Sequence, residues 1–99
     1  MPEIDEIAKV FCEIDDVKVM KEFFDEIFTP AERRDFALRW ELMKLLREGI
    51  TQRQIASKLR ISLCKITRGA KIVKNQDSVT NQIMNSKLGE THGTKDIVE

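Results

Sequence analysis

The feature that most constrains the fold is a pair of helix starts, separated by one short turn, between residues 51 and 69. Thr51 is a candidate N-cap, and Gln54 three residues later can complete a capping box. Ser62 repeats the capping signal one helix further along the chain. Each cap is bracketed by isoleucines that can staple the chain to its helix. Two short capped helices joined by a tight turn predict a helix-turn-helix, which places its second helix in the major groove of DNA.

Apolar residues of this motif predict a small core between its two helices. They are Ile55, Leu59, Ile61 and Ile66. The turn of such a motif often holds a glycine, and Arg60 stands near that position. Because a left-handed backbone is strained for arginine, we expect the turn to differ in detail.

Outward-facing residues of the motif are the candidate DNA contacts. They are Gln52, Arg53, Lys58, Ser62, Leu63, Cys64, Lys65 and Thr67. We expect Arg53 or Lys58 to read bases, and Gln52 and Thr67 to hold phosphates, because positioning and readout fall to different contacts.

Charge is segregated along a chain that is neutral overall. Residues 1–32 carry a net charge of −7, residues 33–75 carry +9, and residues 76–99 carry −2. The positive block includes the two capped helices, as expected of a surface that contacts phosphates. The alternative is a basic helix face that is simply solvated.

Composition limits the function classes. A chain of ninety-nine residues is expected to form one small domain. Such a domain buries only a limited core, and oligomerisation would add to the buried surface. No apolar run of membrane-spanning length and no secretory leader is apparent, so a cytoplasmic protein is expected.

The cysteines suit a reducing compartment, with Cys12 expected in the core and Cys64 partly exposed. No metal cluster, nucleophile–base pair or phosphate-binding glycine loop appears, so neither an enzyme nor a metal site is expected.

Helical periodicity predicts an all-α chain. A first helix is expected over about residues 3–13, and a second after Asp15 or Asp16. Thr29, Pro30 and Glu32 form a near-complete start signal for a third helix that reaches Glu48.

The end of the chain gives a weaker signal. Gly49 is placed for a left-handed cap after the third helix, and a short final helix is expected around Val79, Ile83 and Met84. We expect residues 1–85 to form a helical DNA-binding domain, with the helix-turn-helix at about 51–74. Residues 86–99 are expected to be a flexible polar tail, and nothing near His92 indicates a catalytic or metal-binding role.

The third helix has more apolar surface than a single helix-turn-helix can cover. An intertwined homodimer would bury the excess, although packing within one chain is the alternative. Trp40 is expected in the core or the dimer interface, because it lies on an apolar helix face.

The chain resembles the Trp repressor family. The resemblance rests on Phe28-Thr-Pro-Ala-Glu-Arg, Leu45-Leu-Arg-Glu-Gly-Ile-Thr-Gln-Arg and Ile66-Thr-Arg-Gly, and it runs without gaps from Phe28 to Lys74. It implies a homodimer of intertwined helices that binds a palindromic DNA operator, with L-tryptophan as corepressor.

The resemblance also implies the ligand-binding residues. The indole would stack between Arg39 and Arg68, and Arg68 would meet the carboxylate with help from the Thr29 hydroxyl. Gly69 would let the ligand approach the backbone. Guanidinium groups are suited to this role, because they stack on aromatic rings and pair with carboxylates.

Some positions differ from the family around the implied amine site. Carbonyl groups near Glu26 and Phe28 would accept hydrogen bonds from the ligand amine. Ile72, which lies in the implied site, replaces a serine that is a polar partner for the amine. Lys65 and Lys71 replace a threonine and an asparagine, and they add positive charge near the site.

Three functional interpretations follow from the sequence. The first is a repressor gated by L-tryptophan or a related amino acid. The second is a DNA-binding regulator of the same fold that needs no small ligand. The third is a protein-interaction module that has kept the fold and lost DNA binding. Steep salt dependence of DNA binding would favour the first two over the third.

Overall fold

The computed structural model describes residues 3–89, and these residues are helical with no β-strand among them. The elements are α1 (Asp5–Glu13), α2 (Val17–Ile27), α3 (Pro30–Arg47), α4 (Gln52–Leu59), α5 (Leu63–Lys74), α6 (Val79–Met84) and a π-helical segment (Asn85–Gly89). The all-α prediction is confirmed. The π-helical segment includes the first residues of the stretch from residue 86 onward, whose flexibility stays a prediction. The rest of that tail, including His92, lies outside the described residues.

Local capping explains where α2 and α3 begin. The Asp16 carboxylate accepts a hydrogen bond from the Lys18 N–H at 2.9 Å. At α3 the Thr29 hydroxyl accepts from the Glu32 N–H at 3.2 Å, and the Glu32 carboxylate accepts from the Thr29 N–H at 2.9 Å. This reciprocal pair satisfies N–H groups that a helix start otherwise leaves without partners.

The described residues divide into two compact units, the first ending at Phe36 and the second beginning at Ala37. The first unit is organised around phenylalanines. The Phe24 ring lies 5.5 Å from that of Phe28, 5.6 Å from that of Phe36 and 5.7 Å from that of Phe11, measured between centroids. None of its described residues is fully buried. The prediction that Cys12 fills the core is wrong, because its side chain is exposed on α1.

A guanidinium closes the end of α2 within the first unit. Arg33 donates to the carbonyl oxygens of Phe28 at 2.6 Å and Asp25 at 3.2 Å. Its Nε also lies 3.4 Å from the Asp25 carboxylate. These contacts hold the link between α2 and α3 in place.

The second unit has a closed hydrophobic core. Leu42 and Leu45 from α3 meet Ile55 from α4 and Ile66 from α5, and all four are at most 5% exposed. The cluster is surrounded by partly buried apolar residues, which are Met43, Leu46, Ile50, Ala56, Leu59 and Ile61. The predicted small core between the two short helices is therefore confirmed, and α3 completes it.

The connection from α3 to α4 turns at a glycine. Gly49 has φ +88°, which is a left-handed conformation. Glycine adopts it without a steric clash because it has no Cβ atom. The Ile50 N–H then donates back to the Leu45 carbonyl at 3.1 Å. This geometry is the predicted left-handed cap, and it directs Ile50 into the core.

Candidate nucleic-acid interface and ligand cavity

The two short helices of the second unit begin as their sequence predicts. The Thr51 hydroxyl accepts from the Gln54 N–H at 3.2 Å, and the Gln54 side chain accepts from the Thr51 N–H at the same distance. The Ser62 hydroxyl accepts from the Lys65 N–H at 3.4 Å. The caps fix α4 and α5 on either side of a three-residue turn.

That turn is left-handed at Arg60, where φ is 56° and ψ is 48°. The expectation that arginine would avoid this conformation is wrong. Leu59 before the turn and Ile61 after it both pack against the core, and the Ile61 N–H donates to the Ala56 carbonyl at 3.3 Å. These contacts outweigh a backbone cost of about 1–2 kcal/mol for a non-glycine residue.

Most of the candidate DNA contacts lie on the surface of α4 and α5. The exposed ones are Arg53, Lys58, Ser62, Leu63, Cys64, Lys65 and Thr67, whereas Gln52 is half-buried. Leu63 is 53% exposed despite its apolar side chain. Exposure of Cys64 agrees with its prediction. The Thr67 hydroxyl donates to the Leu63 carbonyl at 2.9 Å, so in this arrangement its proton is not directed toward a phosphate.

An open groove of about 780 Å³ runs along the outer side of α5. It is lined by Leu63, Cys64, Thr67, Arg68, Lys71 and Ile72. Two of these residues are cationic, and none is acidic. The surface therefore combines positive charge with apolar contact area.

A second, more enclosed cavity of about 400 Å³ is formed by α3 and α5. Its lining residues are Arg39, Leu42, Met43, Lys65, Arg68, Gly69 and Ile72. Four of the five predicted ligand-binding residues are thus brought together, and Lys65 joins them from the predicted DNA contacts. Such a volume is within the range of small-molecule sites. Neither Arg39 nor Arg68 forms an ion pair or hydrogen bond with another described residue of the second unit.

Gly69 has a packing role that the sequence did not reveal. A Cβ atom at this position would collide with the Leu42 side chain. Because Leu42 is only 2% exposed, little space is left for it to move. Absence of a side chain at Gly69 is therefore required for α5 to lie closely against α3, whether or not a ligand is bound.

Thr29, the fifth predicted ligand residue, belongs to the first unit. Its hydroxyl accepts the Glu32 N–H in the cap of α3. The Phe28 carbonyl, implied as an acceptor for a ligand amine, already accepts from Arg33. These residues act within the first unit as parts of the α2–α3 link.

A cluster of polar side chains at the end of α5 was not predicted from the sequence. Asn81 is 9% exposed. Its amide nitrogen donates to the carbonyls of Ile72 at 3.1 Å, Val73 at 2.8 Å and Asn75 at 2.9 Å. Arg47 donates to both the carbonyl and the side-chain oxygen of Asn81 at 3.1 Å. The cluster joins α3, α5 and α6 through satisfied hydrogen bonds.

The short final helix predicted around Val79, Ile83 and Met84 is present as α6. Val79 and Ile83 are 66% and 47% exposed, whereas Met84 is fully buried beside Asn81. An asparagine three residues before a buried methionine shares its helix face. The three-residue spacing between Asn81 and Met84 was the one sequence signal that Asn81 is buried. Using it would have meant predicting a polar residue on the buried face of α6.

Two other functional classes find no support in the described part of the chain. Within residues 3–89, no three His, Cys, Asp or Glu side chains are grouped so that they could hold a metal ion. None of the described helices has both the length and the apolar character needed to cross a bilayer.

Comparison with known proteins decides the family. A family model described as Trp repressor protein matches residues 3–88. The chain belongs to the Trp repressor family. The match extends the resemblance through α1 and α2, where the sequence had offered only helical patterns.

Several bacterial relatives of this Trp repressor family member are named Trp operon repressor homolog. The one from Xylella fastidiosa (strain M23) is 34% identical over 83 residues, which cover 83% of this chain and 88% of that protein. The one from Chlamydia trachomatis serovar L2 is 32% identical over 72 residues, covering 72% and 77%. The Chlamydia caviae protein is 40% identical over 57 residues, covering 57% and 56%. No solved structure shows a significant match to this chain.

Proposed function

We propose that this chain is a transcription repressor that binds operator DNA as a homodimer through a helix-turn-helix formed by α4 and α5. Its ligand would be L-tryptophan or a related molecule with an aromatic ring and a carboxylate. One observation carries the proposal: α5 lines both the basic groove and the α3–α5 cavity, and the two share Arg68 and Ile72. A ligand in the cavity would thus bias the position of the helix that enters the DNA groove.

Contacts with DNA would combine charge and shape. Arg53, Lys58 and Lys65 are exposed cations on α4 and α5, and they can neutralise phosphates or reach base edges. The N-terminus of α5 adds N–H groups suited to an anion. Repression would follow from occlusion of the operator, in the cytoplasm of bacteria such as those that hold the relatives.

The cavity suits an aromatic carboxylate in its chemistry. Two guanidinium groups, on Arg39 and Arg68, flank a surface formed by Leu42, Met43 and Ile72. Guanidinium planes stack on indole rings and form paired hydrogen bonds with carboxylates. L-Tryptophan supplies both groups, and it is therefore the first ligand to test.

Dimerisation is supported by apolar side chains that a single chain leaves uncovered. In the first unit Ile4, Val17, Ile27 and Phe36 are 73%, 75%, 44% and 47% exposed. A second copy would bury such residues. Two-fold symmetry would present two copies of α5 to a palindromic operator.

A second candidate is a DNA-binding regulator of the same fold that needs no ligand. It is favoured by Lys65 and Ile72 in the cavity lining. The lysine supplies DNA affinity without a ligand, and the isoleucine offers no polar group to an amino acid.

The DNA contact is tested by fluorescence anisotropy on an operator selected from random sequence. We expect Arg53→Ala to weaken binding by about 1–3 kcal/mol, because an exposed base or phosphate contact is lost. The slope of log K against log salt should be steep, at about −0.9 per neutralised phosphate. The matched control is Lys87→Ala, which removes an exposed cation outside the motif. Undiminished affinity in the Arg53 variant would contradict the assignment, and absence of any salt-dependent binding would favour a protein-interaction module.

Ligand gating is tested by isothermal titration with L-tryptophan. We expect saturable binding at one site per chain, and Arg68→Ala should abolish the dependence of DNA affinity on the ligand. Retention of full ligand affinity by that variant would show that the assigned cavity is wrong. No heat at several temperatures would favour the ligand-independent regulator.

A further inference from the structure

Two connections in the second unit pass through the left-handed region of backbone conformation. The one between α3 and α4 has a glycine there, Gly49 with φ +88°. The one between α4 and α5 has Arg60 with φ 56°, and no other described residue except glycine has a positive φ. Glycine adopts this conformation without strain, whereas a side chain at the same position is strained. Strained residues of this kind are concentrated at functional sites.

The Arg60 side chain is not what holds this turn together. The N–H groups of Arg60 and Ile61 both donate to the Ala56 carbonyl, and any residue other than proline could donate from position 60. Leu59 and Ile61 supply the contacts with the core. The Arg60 guanidinium group forms no ion pair or hydrogen bond with another described residue, and the side chain is exposed. Its charge is therefore available to a partner outside the chain.

The place of Arg60 along the chain indicates the chemistry of that partner. α5 begins at Leu63, directly after its Ser62 cap. The first residues of a helix that enters the major groove face the base edges. The chain just before such a helix then passes the phosphates that border the groove. From Gly49 to Gln76 every charged residue is a lysine or an arginine, so no carboxylate of this segment would repel a phosphate.

We propose that Arg60 binds a DNA phosphate beside the point where α5 enters the groove. This inference rests on the proposed function and adds to it a contact made from the turn instead of from either helix. Guanidinium groups form two parallel hydrogen bonds with a phosphate, which suits arginine to this role. The left-handed backbone is then retained for the contact that the side chain makes. Stability and DNA affinity should accordingly respond in opposite directions when Arg60 is replaced by glycine.

The experiment measures DNA binding and stability of the full chain in the same set of variants. Fluorescence anisotropy is recorded over a series of salt concentrations on the selected operator and on a duplex of the same length with scrambled sequence. We expect Arg60→Gly to weaken binding to both duplexes by a similar factor, about three- to tenfold, because a phosphate contact carries no sequence information. The slope of log K against log salt should become shallower by about 0.9, as expected for one phosphate contact. The midpoint of urea denaturation should be equal to or higher than that of the unaltered protein, because the strain is relieved.

Three further variants separate charge from backbone strain. Arg60→Lys keeps the charge and should retain the steep slope. Arg60→Gln keeps a side chain in the strained backbone but removes the charge, so it should lower the slope as much as Arg60→Gly. Lys87→Gln is the matched control, because it removes an exposed cation outside the helix-turn-helix, and it should leave the slope unchanged.

Two results would overturn the inference. The first is an unchanged slope in both Arg60→Gly and Arg60→Gln. The second is a lower urea midpoint in these variants with undiminished DNA affinity, which would show that the cation only stabilises the C-terminus of α4.

Use of two duplexes lets the two proposals fail separately. Equal affinity for operator and scrambled duplex, with the expected loss of slope in the Arg60 variants, would reject the repressor proposal and support the phosphate contact. Preference for the operator with unchanged slopes would reject the Arg60 contact alone. Absence of binding to either duplex would reject both.

Discussion

The two units of this chain differ in how completely they bury their own side chains. The second unit encloses Leu42, Leu45, Ile55 and Ile66 in a core with at most 5% exposure. In the first unit no described residue reaches full burial, and Phe36 remains 47% exposed within an aromatic cluster. A unit with a closed core can be stable within one chain, whereas aromatic surface left open calls for a further partner.

The largest expected effect comes from the closed core. Ile55→Ala removes a fully buried side chain, and it should lower the free energy of unfolding by about 2–5 kcal/mol because it leaves a cavity. The measurement is urea denaturation followed by circular dichroism at fixed protein concentration. Lys21→Ala is the control in the first unit, because its side chain is exposed on α2 and is not assigned to the dimer interface, and it should change stability by less than about 0.5 kcal/mol. Similar losses of unfolding free energy in the two variants would show that the two units do not differ in how much burial stabilises them.

A smaller effect is expected at the polar cluster of the second unit. Asn81→Ala removes the donor to the Val73 carbonyl and one of two donors to the Ile72 carbonyl, which also accepts from the Asn75 N–H, and it should lower the free energy of unfolding by about 1–3 kcal/mol. The same denaturation experiment measures it, with the exposed neighbour Gln82→Ala as control. If both variants lose the same small amount of unfolding free energy, water satisfies these carbonyls and the cluster does not contribute to stability.

The smallest expected change in the free energy of unfolding comes from diluting the protein, which tests whether the first unit pairs with a second copy. If dimerisation covers the exposed aromatic surface, tenfold dilution should lower the free energy of unfolding by about 1.4 kcal/mol. Phe36→Glu should shift the protein toward monomer in sedimentation velocity. Leu63→Glu is the control, since Leu63 is similarly exposed, at 53% against 47% for Phe36, but lies on α5. Stability independent of concentration, with no change in Phe36→Glu, would show that the first unit needs no second copy.

Helix ends proved predictable because their signals are local. The Thr51–Gln54 capping box and the left-handed Gly49 each depend on a few neighbouring residues, and the structure has both. Predicted ligand residues on α3 and α5 also meet in one cavity, since the family pattern specifies how these helices pack.

What escaped prediction depends on contacts distant in sequence or on the balance between strain and packing. Arg47 and Asn81 are 34 residues apart, so no local pattern links them. The left-handed backbone of Arg60 violates a local preference, and it is maintained because Leu59 and Ile61 are both anchored in the core. Exposure of Cys12 could not be inferred, because an apolar stripe does not reveal whether a single chain covers it.

The cluster at Asn81 also has a consequence for how the molecule opens. Its amide nitrogen contacts three carbonyls at the end of α5, while Arg47 connects the same residue to α3. Fraying of α6 would break all of these bonds at once, so the last turn of α5 gains its protection from a helix that follows it. Segments coupled in this way open as one cooperative unit. The helix proposed to enter DNA is thus anchored against transient opening at the end farther from its cap.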